Sequence, residues 1–133
     1  MHFELKKLKG AETMKVAVVG SRGLWVEKLG DYLPEETEEL ISGGAQGIDA
    51  CARSYAKQKG LAITEIFPCY ARYSRAAPLR RNEEIVRRAD MVLAFWDGES
   101  KGTAYTIRYA QKQGKPLTVH CLQPQEEHPR ATD

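Results

Sequence analysis

The sequence predicts an α/β domain of Rossmann-like, doubly wound type, a parallel sheet of about five strands with helices on both faces. Three observations predict it. Apolar runs of strand length alternate along the chain with segments of helical periodicity. Two of those runs, Val16–Gly20 and Met91–Trp96, are apolar almost throughout, as strands buried on both faces are. Three runs also end in short glycine-bearing turns, Gly20-Ser21-Arg22, Ser42-Gly43-Gly44 and Asp97-Gly98.

Taken in order, Val16–Gly20 is the first strand. Leu24, Trp25, Leu29, Tyr32 and Leu33 recur at helical spacing, and Pro34 ends the helix they predict. Glu39–Ser42 reads as a short second strand. Ile48, Ala52, Tyr55 and Ala56 mark one face of a helix that stops at Gly60. Ala62–Phe67, with its β-branched residues, is the third strand.

The segment from Pro68 to Pro78 reads as a loop, and Pro78 opens a helix carrying Leu79, Ile85, Val86 and Ala89. Met91–Trp96 is the fourth strand. Ala104, Ile107 and Ala110 predict the inward face of the next helix, ended by Gly114 before Pro116. Leu117–Cys121 is the fifth strand.

At 133 residues the chain has room for one real core. Its 42% hydrophobic and 29% charged residues are ordinary for a globular protein, and a net charge of +2 favours neither nucleic acid nor acidic partners. No apolar run reaches membrane-spanning length, and no secretory signal opens the chain, so no membrane partner and a cytoplasmic location are expected. Cys51, Cys69 and Cys121 are far apart and odd in number, and His2, His120 and His128 lie towards the ends. Neither a disulfide framework nor a metal site is expected, and no resident cofactor. Residues 1–13 read as a basic amphipathic extension, 14–122 as the domain and 123–133 as a loose polar tail.

In open parallel sheets ligands bind beyond the carboxyl ends of the strands, where strand order reverses. That rule gathers Gly20, Ser21 and Arg22, Ser42, Gly43 and Gly44, and Asp97 and Gly98 along one rim. The first turns of the following helices are expected to present unpaired N–H groups and a positive dipole end to an anion. Ser100, Gly102 and Thr103 add hydroxyls and a glycine at a helix start. They suit phosphate oxygens, although an N-cap role for Ser100 or Thr103 would also account for the hydroxyls. Asp49 would repel a phosphate; it either holds ribose hydroxyls or packs the turn.

Arg80 and Arg81 open a helix, where the dipole disfavours cations. Either they pair with Glu83 and Glu84 or they clamp a phosphate beside Asn82. Six Arg against two Glu between Cys69 and Arg88 give a local charge of +4. There is no G-x-x-x-x-G-K-[ST], no G-x-G-x-x-G and no G-x-S-x-G, which argues against a P-loop NTPase, an ordinary dinucleotide oxidoreductase and an α/β-hydrolase.

Four stretches together resemble the SLOG superfamily, most nearly its small YspA-like members. They are Val18-Val19-Gly20-Ser21-Arg22, Ser42-Gly43-Gly44-Ala45-Gln46-Gly47-Ile48-Asp49, the helix from Arg81-Asn82 to Asp90, and Ala94-Phe95-Trp96-Asp97-Gly98 with Gly102-Thr103. The resemblance spans roughly Met14 to Val119. It implies a Rossmann-like homo-oligomer that binds or senses a nucleotide or nucleotide-derived ligand at its glycine turns. A cousin family, the LOG phosphoribohydrolases, cleaves the N-glycosidic bond of nucleoside monophosphates with a glutamate three residues beyond a Gly-Thr. Here Gly102-Thr103 matches and Thr106 stands in the glutamate's place. The DNA-processing protein of natural transformation is a second cousin. It implies single-stranded DNA binding as an alternative, through Arg72, Arg75, Arg80, Arg81, Tyr70 and Tyr73.

Overall fold

A computed structural model describes residues 13–124. The predicted extension and tail therefore lie outside the described residues, apart from Thr13 and Gln123-Pro124. Five parallel strands form one sheet: β1 (Met14–Gly20), β2 (Thr37–Ser42), β3 (Ala62–Glu65), β4 (Met91–Trp96) and β5 (Leu117–Cys121). Their spatial order is β3-β2-β1-β4-β5. The register pairs Ala17 with Ile41 on one side of β1 and Val18 with Leu93 on the other. Chain order runs outward one way from β1 and then the other way from β4, so strand order reverses between these two neighbours.

Three helices cover the sheet: α1 (Ile48–Lys59), α2 (Ala77–Arg88) and α3 (Lys101–Lys112). Because side chains alternate along a strand, each face of the sheet builds its own core. Val16, Val18, Leu40, Leu93 and Phe95 meet Ile48, Cys51, Ala52 and Ala56 of α1 on one face. Ala17, Val19, Ile41, Val92 and Ala94 meet Ile85, Val86 and Ala110 on the other. Small residues on the second face let α2 and α3 lie close to the sheet. Among the described residues, no buried side-chain nitrogen or oxygen lacks a partner. No described helix is long and apolar enough to cross a membrane.

Several boundaries differ from the sequence reading. The helix expected over Leu24 to Leu33 is absent; the segment is irregular except for one 3-10 turn at Leu29–Tyr32. Its inward residues are Leu24, Val26 and Leu29, a spacing no α-helix produces. Its backbone is held elsewhere: the Leu24 amide donates to the Ser21 carbonyl and the Val26 amide to Cys51 Sγ at 3.2 Å.

Strand β2 starts two residues earlier than predicted, because Thr37 pairs with Met14. Strand β3 stops at Glu65, so Ile66 and Phe67 fall beyond it. The supposed loop after Pro68 contains a helical turn at Tyr70–Tyr73 and a 3-10 turn at Ser74–Ala76. On α3 the buried positions are Thr103, Thr106 and Ala110, while Ala104 is half-exposed. Strand β1 likewise starts two residues before the predicted Val16, at Met14. The other predicted elements stand within a residue or two of where the sequence puts them, with Gly60 left-handed at the end of α1 and Pro78 in the first turn of α2.

Candidate functional site

One cavity of about 430 Å³ opens at the carboxyl ends of β1, β2 and β4. This is the reversal point of the sheet, where open α/β folds take their ligands. The volume falls within the range of small-molecule sites. Of the residues singled out in the sequence, Gly20, Arg22, Gly43, Asp49, Arg81, Asn82, Asp97, Ser100, Gly102 and Thr103 all line it. Ser21, Ser42, Gly44 and Gly98 do not. Ser21 and Ser42 are instead buried beneath the rim. Thr106, which stands in the place of the cousin family's glutamate, lines it as well, and so do Pro78, Leu79 and Ile85, which the sequence reading had not placed there.

The turns do not present the row of unpaired amides that was expected. Asp49 is buried and folds back over its own turn, its Oδ2 accepting from the Ala45 amide at 3.0 Å. The Gly43 amide and the Ser42 hydroxyl also reach this carboxylate. Asp97 does the same at the second turn, accepting from the amides of Glu99 at 2.9 Å and Ser100 at 2.8 Å. Each turn is thus filled by a carboxylate from its own chain segment. A short acidic side chain beside consecutive amides competes well with any dissolved anion, because its effective concentration is fixed by the chain.

The reading of Asp49 as a residue that packs the turn matches this geometry. Burial pushes its pKa up, against the pull of the Ala45 amide, Arg81, Ser42 and the Gly43 amide. Asp97 sits below the ordinary carboxylate range, held there chiefly by the Ser100 and Glu99 amides.

Among the described residues Arg81 pairs with neither Glu83 nor Glu84 and holds backbone carbonyls instead. Its Nη1 donates to the Gly43 carbonyl at 2.6 Å and to the Ile66 carbonyl at 3.2 Å. Its Nε donates to Asn82 Oδ1 at 2.8 Å. The guanidinium therefore ties the start of α2 to the end of β2 and to the segment just past β3, while still facing the cavity. Partial burial lowers its pKa; Asp49 opposes that, and Arg22 adds to it. Arg22 is thus near enough to repel Arg81. Arg22 is exposed and holds no hydrogen bond or ion pair with any of the described residues. Two guanidinium groups converging on one cavity, one of them unoccupied, form an anion-attracting wall.

Opposite them stands the first turn of α3. Ser100 is its N-cap, its Oγ accepting from the Thr103 amide at 3.4 Å and lying 3.1 Å from Thr103 Oγ1. The cap reading of Ser100 holds. Lys101 and Gly102, the first two helical residues, have amides that no intrahelical carbonyl reaches, as at any helix start. Ser21 Oγ accepts from the Asp97 amide at 3.2 Å and lies 3.5 Å from Thr103 Oγ1, which stitches β1, β4 and α3 together under the cavity floor. Thr106 donates its hydroxyl to the Gly102 carbonyl at 2.9 Å.

Arg80 pairs with Glu83, as the surface reading anticipated, whereas Glu84 pairs with Arg88 and not with Arg81. Glu83 is nonetheless buried and also accepts from the Tyr105 hydroxyl, so this pair joins α2 to α3.

The comparisons with known proteins bear on the whole of this unit. The chain is 34% identical over 117 residues to the Gene 61 protein of Mycobacterium phage D29, an alignment covering 77% of this chain and 93% of that protein. The chain belongs to the Gene 61 protein family. No protein-family model matches it, and no solved structure does. Among the described residues, no cluster of three or more His, Cys, Asp or Glu could hold a metal.

Proposed function

We propose that this Gene 61 family member binds a small, phosphate-bearing, nucleotide-type ligand in the cavity at the reversal point of its sheet. The observation that carries the reading is the convergence of Arg22 and Arg81 with the first turn of α3 on a single cavity. The anion lies between Arg22 and the Lys101 and Gly102 amides, with Thr103 Oγ1 and Asn82 beside it. This relocates the anion from the Ser-Gly-Gly turn, where Asp49 accepts from the Ala45 amide and Ser42 Oγ from the Gly44 amide. The SLOG-like motifs of the chain support the same reading.

Binding without turnover fits the cavity best. Thr106 stands where LOG-like enzymes carry their glutamate, and its hydroxyl is engaged with Gly102. The lining carboxylates Asp49 and Asp97 are committed to their turns. Thermal shift against AMP, ADP, NAD and ADP-ribose tests the proposal. A ligand at a hundred times its Kd adds about 2.7 kcal/mol of stability. A melting point unmoved by all four counts against it. Release of free adenine from AMP, followed by chromatography, would turn the binder into an enzyme.

A second reading, single-stranded DNA, draws on the exposed Tyr70 and Tyr73 and on Arg72, which lies 5.2 Å from the Tyr73 ring centroid. Steeply salt-dependent binding of an oligonucleotide, with no shift from the mononucleotides, would favour it.

A further inference from the structure

Phe67 is 61% exposed, the most exposed large hydrophobic residue among those described. It lies two residues past the end of β3, at the edge of the cavity rather than inside it. Its position is nevertheless fixed. A Cβ built on Gly44 would come within 2.4 Å of Phe67 Cε1, so one edge of the ring rests on the Gly44 backbone. The residue before Gly44 and the residue before Phe67 both offer their carbonyls to the same Arg81 Nη1. The Ile66 amide closes the unit by donating to the Ser42 carbonyl at 2.8 Å. Tyr70, 58% exposed, follows one helical turn later, within electrostatic reach of Arg81.

An aromatic ring held by its edge and bare on the rest of its surface is a poor core residue. It is a good platform, because aromatic bases of any sequence stack on such a face. The platform is also continuous with the cavity wall, since Gly43 and Arg81 belong to both.

We infer that Phe67, with Tyr70 three residues further along the chain, is the seat for the planar base of a ligand whose phosphate lies between Arg22 and α3. The inference rests on the phosphate-cavity reading and adds to it the requirement for an aromatic base, together with the residue that selects it. Arg81 then serves as a positioning residue that holds platform and cavity in one frame.

Calorimetric titration with AMP and with ribose 5-phosphate tests this. Both carry the phosphate, and only AMP carries a base. The unsubstituted chain binds AMP about 5- to 150-fold more tightly than ribose 5-phosphate, the range that base–aromatic stacking supplies. Phe67→Ala removes most of that difference and leaves ribose 5-phosphate unchanged. Phe67→Leu still covers Gly44 but offers no aromatic face; it loses AMP affinity in the same way while keeping its melting temperature. Phe67→Trp retains or strengthens AMP binding.

Equal affinity for the two probes, or Phe67→Leu binding AMP as the unsubstituted chain does, overturns the inference and leaves the phosphate cavity standing. Failure of both probes to bind overturns the cavity reading and this inference with it.

Discussion

Gly47→Ala is the substitution whose consequence follows most directly from the geometry. Gly47 caps α1 with φ 69° and ψ −122°, a region that side chains reach only under strain. A Cβ there would lie 2.3 Å from the Arg22 carbonyl oxygen, a backbone atom that cannot rotate away. The backbone strain costs about 1–3 kcal/mol, and forcing the packed loop outward costs about 1–3 kcal/mol more. The sum is about 2–6 kcal/mol. With about 2.1 cal/mol/K of unfolding entropy per residue, 133 residues give about 0.28 kcal/mol/K, so the melting temperature falls by roughly 7–21 °C.

Thermal unfolding followed by circular dichroism measures this, with Gly23→Ala as the control in the same loop. A Cβ on Gly23 meets nothing within 4 Å, so its melting temperature stays within about 3 °C of the unsubstituted chain. If Gly47→Ala were equally benign, the close approach of the β1 loop to the start of α1 would be wrong. So would the placement of Arg22 that depends on it.

Four further outcomes are expected. Arg22→Ala leaves stability within about 0.5 kcal/mol, since the side chain has no partner to lose, yet weakens AMP binding at least several-fold in a titration. Arg81→Lys destabilises by about 2 kcal/mol in urea unfolding, because an ammonium cannot span the Gly43 and Ile66 carbonyls and Asn82 together; an unchanged midpoint would remove its tethering role.

Gly102→Ala, whose added methyl meets nothing within 4 Å, raises stability by up to about 1 kcal/mol. Any gain or loss of AMP affinity there then reports on the ligand alone. Acid sensitivity separates the two turn carboxylates by sign. The native pKa of Asp97 lies below its ordinary 3.8, so its stabilisation is present above that value and lost as pH falls below it. That of Asp49 lies above 3.8, so its contribution falls as pH rises from there. Stability measured by urea titration from neutral pH to pH about 3 should therefore fall less steeply for Asp97→Asn than for the unsubstituted chain, and more steeply for Asp49→Asn. Parallel curves would refute the assignment.

What the sequence discloses about this fold is its strongly periodic parts. The apolar run Met91–Trp96 can only be a central strand, and Gly60 and Pro78 punctuate helices in the way backbone sterics require. The crossover from β1 to β2 misleads because Leu24, Leu29 and Tyr32 imitate a helical stripe. Its backbone closes a tight turn onto Ser21 and bonds Cys51, 25 residues further on, a partner that local spacing cannot reveal.

The site shows the same division. Strand ends and glycine turns are local signals, and they bring the right loops to one rim. What occupies the turn amides is a question of direction, and Asp49 and Asp97 answer it only once their carboxylates are seen folded back on their own turns. Arg81 reaches a carbonyl 38 residues away in the chain, beyond what pairing rules within one helix describe. Phe67 gave no signal at all while its strand was read as continuing through it.

The most direct test of the anion site is a two-dimensional amide NMR titration with AMP. The account predicts the largest shifts at the Lys101, Gly102 and Thr103 amides and around Arg22 and Asn82, with smaller changes at Gly43 and Ala45, whose amides Asp49 already holds. Shifts confined to β5, at the far edge of the sheet, or a spectrum that does not change at millimolar AMP, would contradict it.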